Sequence, residues 1–316
     1  MKTKAILIFP YSGYENKSER SKMFWRMVEC CHDYAGDKHP IVILNKDTEK
    51  REQAAAFLQD KRSKDEVEIL RVWSVDTCQM WLAGWGHVID NCKGVSRIIQ
   101  LPGDIDSVST NTDFFNQLKG FITYTKFDIV IGDFSTEGRF NAKDLIDSYG
   151  TYALLANWFP EVTQEILHLP LNRPRSEFLN IRTRTLKRLL DERKFAYEQT
   201  VNMLIHSWDF RKGKWKFKIH AHKLGILTDD GSFRQYTECL DQIERTERMI
   251  KLLWREVHKP NDDLTKKSEN KQSVSKKNEK IYEDFIDKYH VLDKRSTSIR
   301  ENARIIISNL LKVNLR

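Results

Sequence analysis

The chain has 316 residues, 40% of them hydrophobic, which is enough to build one large domain or two small ones. Its net charge of +8 favours an anionic partner, such as a nucleotide, a phosphorylated substrate, a nucleic acid or an anionic membrane. No signal peptide is evident and no apolar run approaches the roughly 20 residues of a membrane span, so we expect a cytoplasmic protein without a transmembrane segment.

The first half of the chain alternates strand and helix patterns. Short apolar runs predict strands at residues 4–9, 41–44, 67–72, 95–101 and 127–132. Helical spacing of apolar residues predicts helices at 18–34, 47–60, 77–91 and 111–118. Strands that alternate with helices form parallel sheets, so the pattern predicts an α/β fold with a doubly wound, mostly parallel sheet.

The second half is predicted to be mainly helical. Helices are predicted at residues 142–158, where Pro160 ends the helix, and at 184–190, 195–206 and 233–257, with an irregular stretch at 170–181. Trp, Phe and Ile alternate with Lys over 215–221, which predicts a strand with one basic face that finishes at His220 and His222.

The composition changes towards the C-terminus. Residues 259–280 contain seven Lys and four acidic residues with few aliphatic ones, so they are predicted to form a flexible linker. Amphipathic helices at 281–289 and 299–315 must cover their apolar faces with the rest of the chain, with a second subunit in a homodimer, or with an anionic membrane. We favour a protein partner, and we expect a domain over 1–257, a linker over 258–280 and a helical C-terminal extension over 281–316.

Two carboxylates, Asp104 and Asp106, follow the fourth predicted strand. In an open α/β sheet, ligands bind outside the carboxyl ends of the strands. Neighbouring carboxylates repel each other, and a hard divalent cation such as Mg²⁺ or Mn²⁺ removes that cost. The pair predicts a metal site, although Asp-x-Asp also occurs in turns as a helix cap or an Asx-turn. Asp128 and Asp133, beside the fifth strand, are predicted to cap turns.

Four motifs occur in a recognisable order along the chain. They are Phe9-Pro10-Tyr11 at the end of the first strand, the Asp-x-Asp pair, Pro170-Leu171 leading to Ser176-Glu177, and Tyr197-Glu198-Gln199-Thr200 before a strand that ends in His222. Over roughly residues 4–225, this order resembles the GT-A fold of nucleotide-sugar glycosyltransferases. Within that fold, the chain is most similar to the retaining mannosylglycerate synthase and glucosyl-3-phosphoglycerate synthase families.

The resemblance implies a metal-dependent transfer, with retention, of mannose or glucose from a GDP- or UDP-linked donor to a small, glycerate-like acceptor. It implies that Asp104, Asp106 and His222 bind Mg²⁺ or Mn²⁺, although strand alternation alone does not distinguish His222 from His220. It also implies that Pro10, Tyr11 and Glu15 lie beside the nucleoside. By the same resemblance, the catalytic residues are Glu177, beside the transferred sugar, and Glu198, which lies with Gln199 beside the acceptor. An anionic acceptor would be bound by Arg173, Arg175 and Arg182.

One departure from the family pattern concerns the donor diphosphate. The families carry a Gly-Lys-Gly segment before the helix that precedes the acid pair, and its Lys approaches the diphosphate. Here residues 82–87 are Leu-Ala-Gly-Trp-Gly-His, and Trp85 cannot supply that charge. Either another cation approaches the diphosphate, or the donor is held differently.

Two other classes of function fit parts of the sequence. The alternating lysines of residues 212–218, with Trp215 and Phe217 stacking on bases, would suit a protein that binds single-stranded nucleic acid. That function leaves the acid pair unexplained. A non-catalytic interaction module with a degenerate sugar-nucleotide domain would instead explain Trp85.

Overall fold

A computed structural model of the chain describes residues 3–9, 19–32, 34, 41–46, 67–72, 77–103, 112–136, 150–192, 199–209, 212–227 and 236–258. These residues form two compact units. The sheet unit comprises the described residues within 1–137, 176–199 and 217–230, and the helical unit comprises those within 138–175, 200–216 and 231–316. The predicted helix at 47–60, the linker and the C-terminal extension lie outside the described residues, so the three-part division of the chain stays a prediction.

Both units are built from the following elements of the described chain. The strands are β1 (Thr3–Phe9), β2 (Ile41–Lys46), β3 (Val67–Val72), β4 (Val95–Pro102), β5 (Ile129–Thr136), β6 (Leu179–Arg182), β7 (Trp208–Asp209), β8 (Lys214–Trp215) and β9 (Ile219–Leu227). The helices are α1 (Glu19–His32), α2 (Thr77–Asn91), α3 (Thr112–Thr123), α4 (Thr151–Trp158), α5 (Pro160–His168), α6 (Thr183–Glu192), α7 (Gln199–Ser207) and α8 (Tyr236–His258).

The sheet unit is organised around one large sheet, in which the described chain contributes seven strands in the order β3-β2-β1-β4-β6-β5-β9. Strand β6 runs antiparallel to both of its neighbours, and the other neighbouring strands are parallel to each other. Helices flank the sheet and contact its strands. The predicted α/β class with a mostly parallel sheet flanked by helices is confirmed.

The order of the strands reverses beside β1. The chain passes from β1 outward to β2 and β3, and then returns so that β4 pairs with the other side of β1. The last pair of this ladder joins Phe9 and Pro102. In open α/β sheets, such a reversal opens a crevice at the carboxyl ends of the strands, where ligands bind. The ends of β1 and β4 therefore mark a candidate binding position.

Helices α1 and α3 pack on one face of the sheet. The strands contribute Ile6, Ile8, Ile99, Leu101 and Val130 to this layer, and the helices contribute Phe24, Met27, Phe114, Leu118 and Phe121. These side chains are at most 2% exposed. Burying each of them contributes about 1.5–3 kcal/mol, so this layer stabilises the centre of the sheet.

Helix α2 packs on the opposite face. A Cβ added at Gly84 would lie 2.9 Å from Leu44 Cδ2 and 3.1 Å from Leu7 Cδ1, so the missing side chain allows the helix to approach the sheet. Leu7 alternates with Ile6 and Ile8, which face α1 and α3, and this alternation assigns α2 to the other side. Each face of the sheet is therefore covered by at least one helix.

Three elements differ from the sequence-based expectations. Helix α4 ends at Trp158 as predicted, but Pro160 also begins a further helix, α5, because its missing N–H and fixed φ suit the first residue of a helix. Strand β6 lies in the stretch that was expected to be irregular, since four residues are too few to show clear alternation. Residues 215–221 are divided between β8 and β9, and His222 lies within β9 rather than at its end.

The helical unit is held together by aromatic and polar side chains. The rings of Trp158 on α4 and Trp254 on α8 pack edge to face, with their centroids 6.0 Å apart. The Nδ2 of Asn202 on α7 donates to Met249 Sδ on α8 at 3.4 Å. No helix in the described ranges is long and apolar enough to cross a membrane.

Candidate functional site at the carboxyl edge of the sheet

Half of the predicted site residues lie outside the described part of the chain: Pro10, Tyr11, Glu15, Asp104, Asp106 and Glu198. The structure nevertheless fixes where their segments begin. Phe9, which precedes Pro10, is paired with Pro102, and Asp104 follows two residues after Pro102. The segments predicted to contact the nucleoside and the metal therefore start side by side, where the strand order reverses.

Glu177 lies at the same edge of the sheet because it comes shortly before the antiparallel strand β6. The Nε2 of Gln100 on β4 donates a hydrogen bond to the main-chain oxygen of Glu177 at 2.8 Å. On the other side, the Ser176 hydroxyl donates to the main-chain oxygen of Gly132 on β5 at 2.5 Å. Glu177 is thereby held between β4 and β5, next to the strand that leads to Asp104.

Gly132 allows β5, β6 and β9 to approach each other at this edge. A Cβ at Gly132 would lie 2.5 Å from the Cβ of Phe178 and 2.6 Å from the Cδ1 of Leu224. The amide of Gly132 also donates to the main-chain oxygen of Phe178 at 2.8 Å. A larger residue would push these strands apart and displace Glu177.

Asp133 is a second carboxylate at this edge, and the sequence indicated only a turn-capping role for it. It is 4% exposed and follows Gly132 on β5. The β5–β6 ladder pairs Ile131 with Leu179, so two residues further along Asp133 lies opposite Glu177. Residues opposite each other in an antiparallel pair share one face of the sheet. The fold therefore brings two acidic residues together that are distant in sequence.

His222 contacts helix α3 from the middle of β9. Its Nε2 lies 3.2 Å from the main-chain oxygen of Gln117, and because a carbonyl oxygen can only accept, this nitrogen carries the proton. The ring lies against Phe121 and Tyr124, with centroid distances of 5.9 and 5.7 Å. Burial lowers the pKa of His222, and the hydrogen bond to Gln117 opposes this change in part.

This position separates His222 from the predicted metal ligands. Strands β6 and β5 lie between β9 and β4, so β9 is three strand spacings from β4, or about 14 Å. His222 also faces α3, as does Phe178, whose ring is 6.4 Å from that of Phe121. Alternation directs the neighbouring Glu177 to the opposite face. The assignment of His222 to a metal site stays a prediction, and these contacts do not support it.

His220 lies on the same face as His222, as strand alternation predicts. Its ring stacks on Tyr124 and Phe127, with centroid distances of 4.8 and 4.9 Å. Burial and the proximity of His222 lower the pKa of His220. Both histidines are therefore neutral members of an aromatic layer beneath the end of α3.

Arg182 lies away from the carboxyl edge of the sheet. Strand β6 runs away from the carboxyl edge, so Arg182 lies roughly 17 Å along the chain from Glu177. Its guanidinium pairs with Asp128 at 3.0 Å and donates to the main-chain oxygen of Thr125 at 3.3 Å. These contacts do not support the prediction that Arg182 binds the acceptor, which stays a prediction. Asp128 has a structural role, since its other oxygen accepts from the amide of Lys218 at 3.0 Å.

A buried network at the opposite, amino edge holds the end of α3. Arg97 is 3% exposed, and it donates through Nε to Asn180 Oδ1 and through Nη1 to the main-chain oxygen of Phe127 at 2.9 Å. Asn180 donates to the main-chain oxygens of Phe121 and Tyr124 at 2.6 and 3.1 Å. Burial, together with a neighbouring arginine, lowers the pKa of Arg97 to about 10, so it stays charged at neutral pH. The network satisfies carbonyl groups that a helix end leaves unpaired.

The other predicted acceptor residues are positioned as follows. Arg173 is 1% exposed and Arg175 is half-buried, and both belong to the helical unit. Gln199 is the first residue of α7 and is also 1% exposed. Its Nε2 has no hydrogen-bond partner within the described part of the chain. Their roles at an acceptor stay predictions.

Trp85 belongs to the core and does not face a bound diphosphate. Residues 82–87 lie inside α2, and the Trp85 side chain is 0% exposed. Two residues later, the Nε2 of His87 pairs with Glu68 on β3 at 2.8 Å. A lysine at position 85 would be buried inside the protein, so packing accounts for the departure from the family pattern.

Binding of a metal ion at the carboxyl edge of the sheet would depend on Asp104 and Asp106. In the ranges that the structure describes, no group of three His, Cys, Asp or Glu side chains could hold a metal ion. Asp104 and Asp106 offer hard carboxylate ligands that suit Mg²⁺ or Mn²⁺. In the sequence they come two and four residues after Pro102, the end of a buried strand beside which the strand order reverses. The chemistry of this donor set fits a divalent cation.

The basic stretch that suggested nucleic-acid binding is not one strand face. Over the described residues 212–220, Lys214 lies in β8, whereas the amide of Lys218 pairs with Asp128. The ring of Trp215 packs edge to face against Trp208, at a centroid distance of 5.1 Å. The guanidinium of Arg188 lies over Phe217 at 5.9 Å. Both rings that were expected to stack on bases are thus in contact with protein groups.

Comparison with known proteins gives distant similarities. No protein-family model and no curated protein matches the sequence. TarS from S. aureus, solved in complex with UDP-GlcNAc, is similar with a TM-score of 0.41 and 13% identity, over 80% of this chain and 71% of that chain. The mannosyltransferase PcManGT from Pyrobaculum calidifontis, solved with GDP-Man and Mn²⁺, has a TM-score of 0.47 and 9% identity over 99% of this chain and 80% of that chain.

A third solved structure is an enzyme of a different kind. The 4-diphosphocytidyl-2C-methyl-D-erythritol synthase from Anaerococcus prevotii has a TM-score of 0.40 and 11% identity, over 79% of this chain and 99% of that chain. With identities between 9% and 13%, these similarities do not determine the activity or the substrate of this chain. The α/β class follows from the sheet itself.

Proposed function

We propose that the chain is a metal-dependent glycosyltransferase that moves mannose or glucose from a GDP- or UDP-linked donor to a small acceptor. The observation that carries this proposal is the pairing of Phe9 with Pro102. It brings together the starts of the Pro10 and Asp104 segments at the reversal of strand order, which is where open α/β sheets bind nucleotides. A carboxylate pair at that point suits a cation shared with a diphosphate.

We assign the donor site from this arrangement together with the resemblance. Asp104 and Asp106 hold Mg²⁺ or Mn²⁺, which when bound acts as a Lewis acid on the departing diphosphate. The three residues of the first segment that border the nucleoside are Pro10, Tyr11 and Glu15. The hydrogen bond from Gln100 to its main-chain oxygen fixes Glu177 beside β4, and we assign Glu177 to the transferred sugar from the resemblance. The proposal does not depend on His222.

The acceptor side rests on the resemblance. Glu198 and Gln199 lie beside the acceptor hydroxyl, and Arg173 and Arg175 bind the carboxylate or phosphate of a glycerate-like acceptor through paired hydrogen bonds. Transfer occurs with retention, and we assign no nucleophile. The protein acts in the cytoplasm, and the helical extension at 281–316 supports association as a homodimer.

A panel of GDP- and UDP-linked mannose and glucose with Mg²⁺ or Mn²⁺ tests this function. Glycerate and phosphoglycerate serve as acceptors, and the expected result is release of nucleotide that requires both metal and acceptor. The anomeric configuration of the product, measured by NMR, reports retention. The proposal is wrong if no donor reacts and if neither GDP nor UDP with metal raises the unfolding temperature. Stabilisation by an oligonucleotide at physiological salt would instead support nucleic-acid binding.

A further inference from the structure

Gln100 is a polar residue inside the apolar strand β4, and its amide has a fixed orientation. The residue is 1% exposed. Its Nε2 donates to the main-chain oxygen of Glu177 at 2.8 Å. Because that oxygen can only accept, the bond identifies which end of the amide is the nitrogen. The opposite end of the amide is therefore Oε1, a hydrogen-bond acceptor.

The Oε1 of Gln100 has no hydrogen-bond partner among the residues that the structure describes. A buried acceptor without a partner costs free energy, and folded proteins contain few such atoms. Leucine or methionine would occupy this strand position without that cost. The amide therefore indicates a hydrogen-bond donor that binds to Oε1.

The side-chain amide of Gln100 lies at the candidate site. Gln100 pairs with Leu179, and Glu177 lies two residues closer to the carboxyl edge, a distance of roughly 7 Å. The bond to Glu177 directs the amide of Gln100 towards that edge. It therefore lies near the level of Pro102, where β4 ends beside Phe9.

The groups around this position are rich in acceptors. Glu177 and Asp133 lie on the same edge and, by alternation, on the same face of the sheet as Gln100. Because the Oε1 of Gln100 can only accept, it selects a ligand that carries a hydrogen-bond donor. A hexose offers several neighbouring hydroxyl groups, whereas a diphosphate offers only acceptors and negative charge.

We infer that Gln100 accepts a hydrogen bond from a hydroxyl group of the transferred hexose and thereby contributes to donor specificity. This inference rests on the proposed glycosyltransferase function. It adds a specificity-determining residue on β4 itself, upstream of the acid pair. The same residue positions Glu177 through its Nε2.

Calorimetric titration of the full-length protein, with Mn²⁺ present, tests the inference. GDP, GDP-mannose, UDP and UDP-glucose are compared between the wild type and Gln100→Met. For the preferred base, the variant should bind the sugar-linked nucleotide about tenfold more weakly, as expected for one hydrogen bond, and should bind the nucleotide alone as the wild type does. Gln79→Met, the same change at an exposed residue of α2, should alter neither affinity.

Donors that lack a single hydroxyl group provide a second measurement. At least one such donor should bind the wild type about tenfold more weakly than the intact donor, and the Gln100→Met variant should not distinguish the two. If Gln100→Met does not fold, Gln100→Leu replaces it in the same comparison. Combining the change in the donor with the change in the protein forms a double-mutant cycle, which separates a contact with the sugar from a general loss of structure.

Several results would overturn the inference. If the ratio of the affinity for sugar-linked nucleotide to the affinity for nucleotide alone is the same in the variant and the wild type, Gln100 only anchors Glu177. If Mn²⁺ alone stabilises the wild type but not the variant, the acceptors hold a cation rather than a sugar. If the wild type binds nucleotide and the sugar adds no affinity, the inference fails while a nucleotide site remains. A wild type that binds no nucleotide refutes the proposed function and this inference with it.

Discussion

The Nε2 of His222 donates a hydrogen bond to the main-chain oxygen of Gln117 at 3.2 Å. Gly120 lies against the same ring, because a Cβ at that position would be 3.4 Å from both Cε1 and Nε2. An imidazole thus joins strand β9 to helix α3. Burial lowers the pKa of His222 and so favours the neutral ring, while the hydrogen bond to Gln117 opposes this change in part. Protonation would place a charge in this layer.

We expect the protein to lose stability as the pH falls below about 6.5, the ordinary pKa of histidine. In the folded protein the pKa values of His220 and His222 are lowered, so the unfolded chain binds more protons as the pH falls. The free energy of unfolding therefore rises with pH in this window and reaches its full value above about 6.5. Urea unfolding at a series of pH values measures this dependence.

The double variant His220→Gln with His222→Gln should have a flatter pH dependence than the wild type. The same change at His168, on α5 of the helical unit, serves as the control. If the double variant keeps the slope of the wild type, the two histidines are not its source.

His222→Ala separates packing from metal binding. If the contacts with Gln117 and Phe121 are its role, the variant loses about 1–3 kcal/mol of the free energy of unfolding. The Mn²⁺ concentration required for nucleotide binding should then be unchanged. If His222 were instead a metal ligand, the variant would require an Mn²⁺ concentration about tenfold higher or more for nucleotide binding, and its free energy of unfolding would change little. Titration with Mn²⁺ at fixed nucleotide distinguishes the two, with His220→Ala as the matched variant.

Gly132→Ala should destabilise the protein by about 1–3 kcal/mol, because the added methyl group overlaps Phe178 and Leu224. Gly86→Ala is the matched control. It lies on α2, where an added Cβ meets nothing within 4 Å, so it should raise stability by about 0.5–1 kcal/mol through helix propensity. Urea unfolding measures both. Equal stability of Gly132→Ala and the wild type would contradict the close approach of β5 to β6 and β9.

Asn180→Ala should reduce the free energy of unfolding by about 2–4 kcal/mol, because it leaves buried carbonyl groups and one donor of Arg97 unpaired. Amide hydrogen exchange should increase in the last turn of α3. Asn91→Ala, at an exposed residue whose amide contacts His87, should have little effect. Unchanged exchange in α3 would show that Asn180 does not hold this helix.

Asp104→Asn and Asp106→Asn should each abolish metal-linked nucleotide binding without unfolding the protein, because each removes a charged oxygen ligand. Asp90→Asn, at an exposed residue near the end of α2, is the control. Thermal unfolding with GDP or UDP, with and without Mn²⁺, measures the effect. If both variants bind nucleotide with Mn²⁺ as tightly as the wild type, the acid pair is not a metal site.

Much of the sheet could be predicted because its buried strands are short apolar runs between clear helix patterns. The bounds of β3 and α2 agree with the prediction to the residue. Strand β6 could not be found this way. Its four residues include Asn180 and Arg182, and it forms only because β4 and β5 are available on both sides.

The candidate site was predictable only in part. The sequence placed Asp104 after a strand, but the partner of that strand end, Phe9, is fixed by pairing in space. Alternation showed that His220 and His222 share a face, but not that α3 covers this face. Gln100 carried no local signal of a site, since a single glutamine in an apolar run becomes informative only when the partners of its two amide atoms are known.

Strand β6 lies between β4 and β5 in the sheet, yet the ribosome makes it after both. Until residues 179–182 have emerged, β4 and β5 each present an unpaired edge, and such edges pair readily with other chains. The nascent protein therefore passes through a stage in which much of the sheet is made but its centre is open. We expect a chain that stops before Leu179 to aggregate, and folding in the cell to depend on chaperones until this strand is inserted.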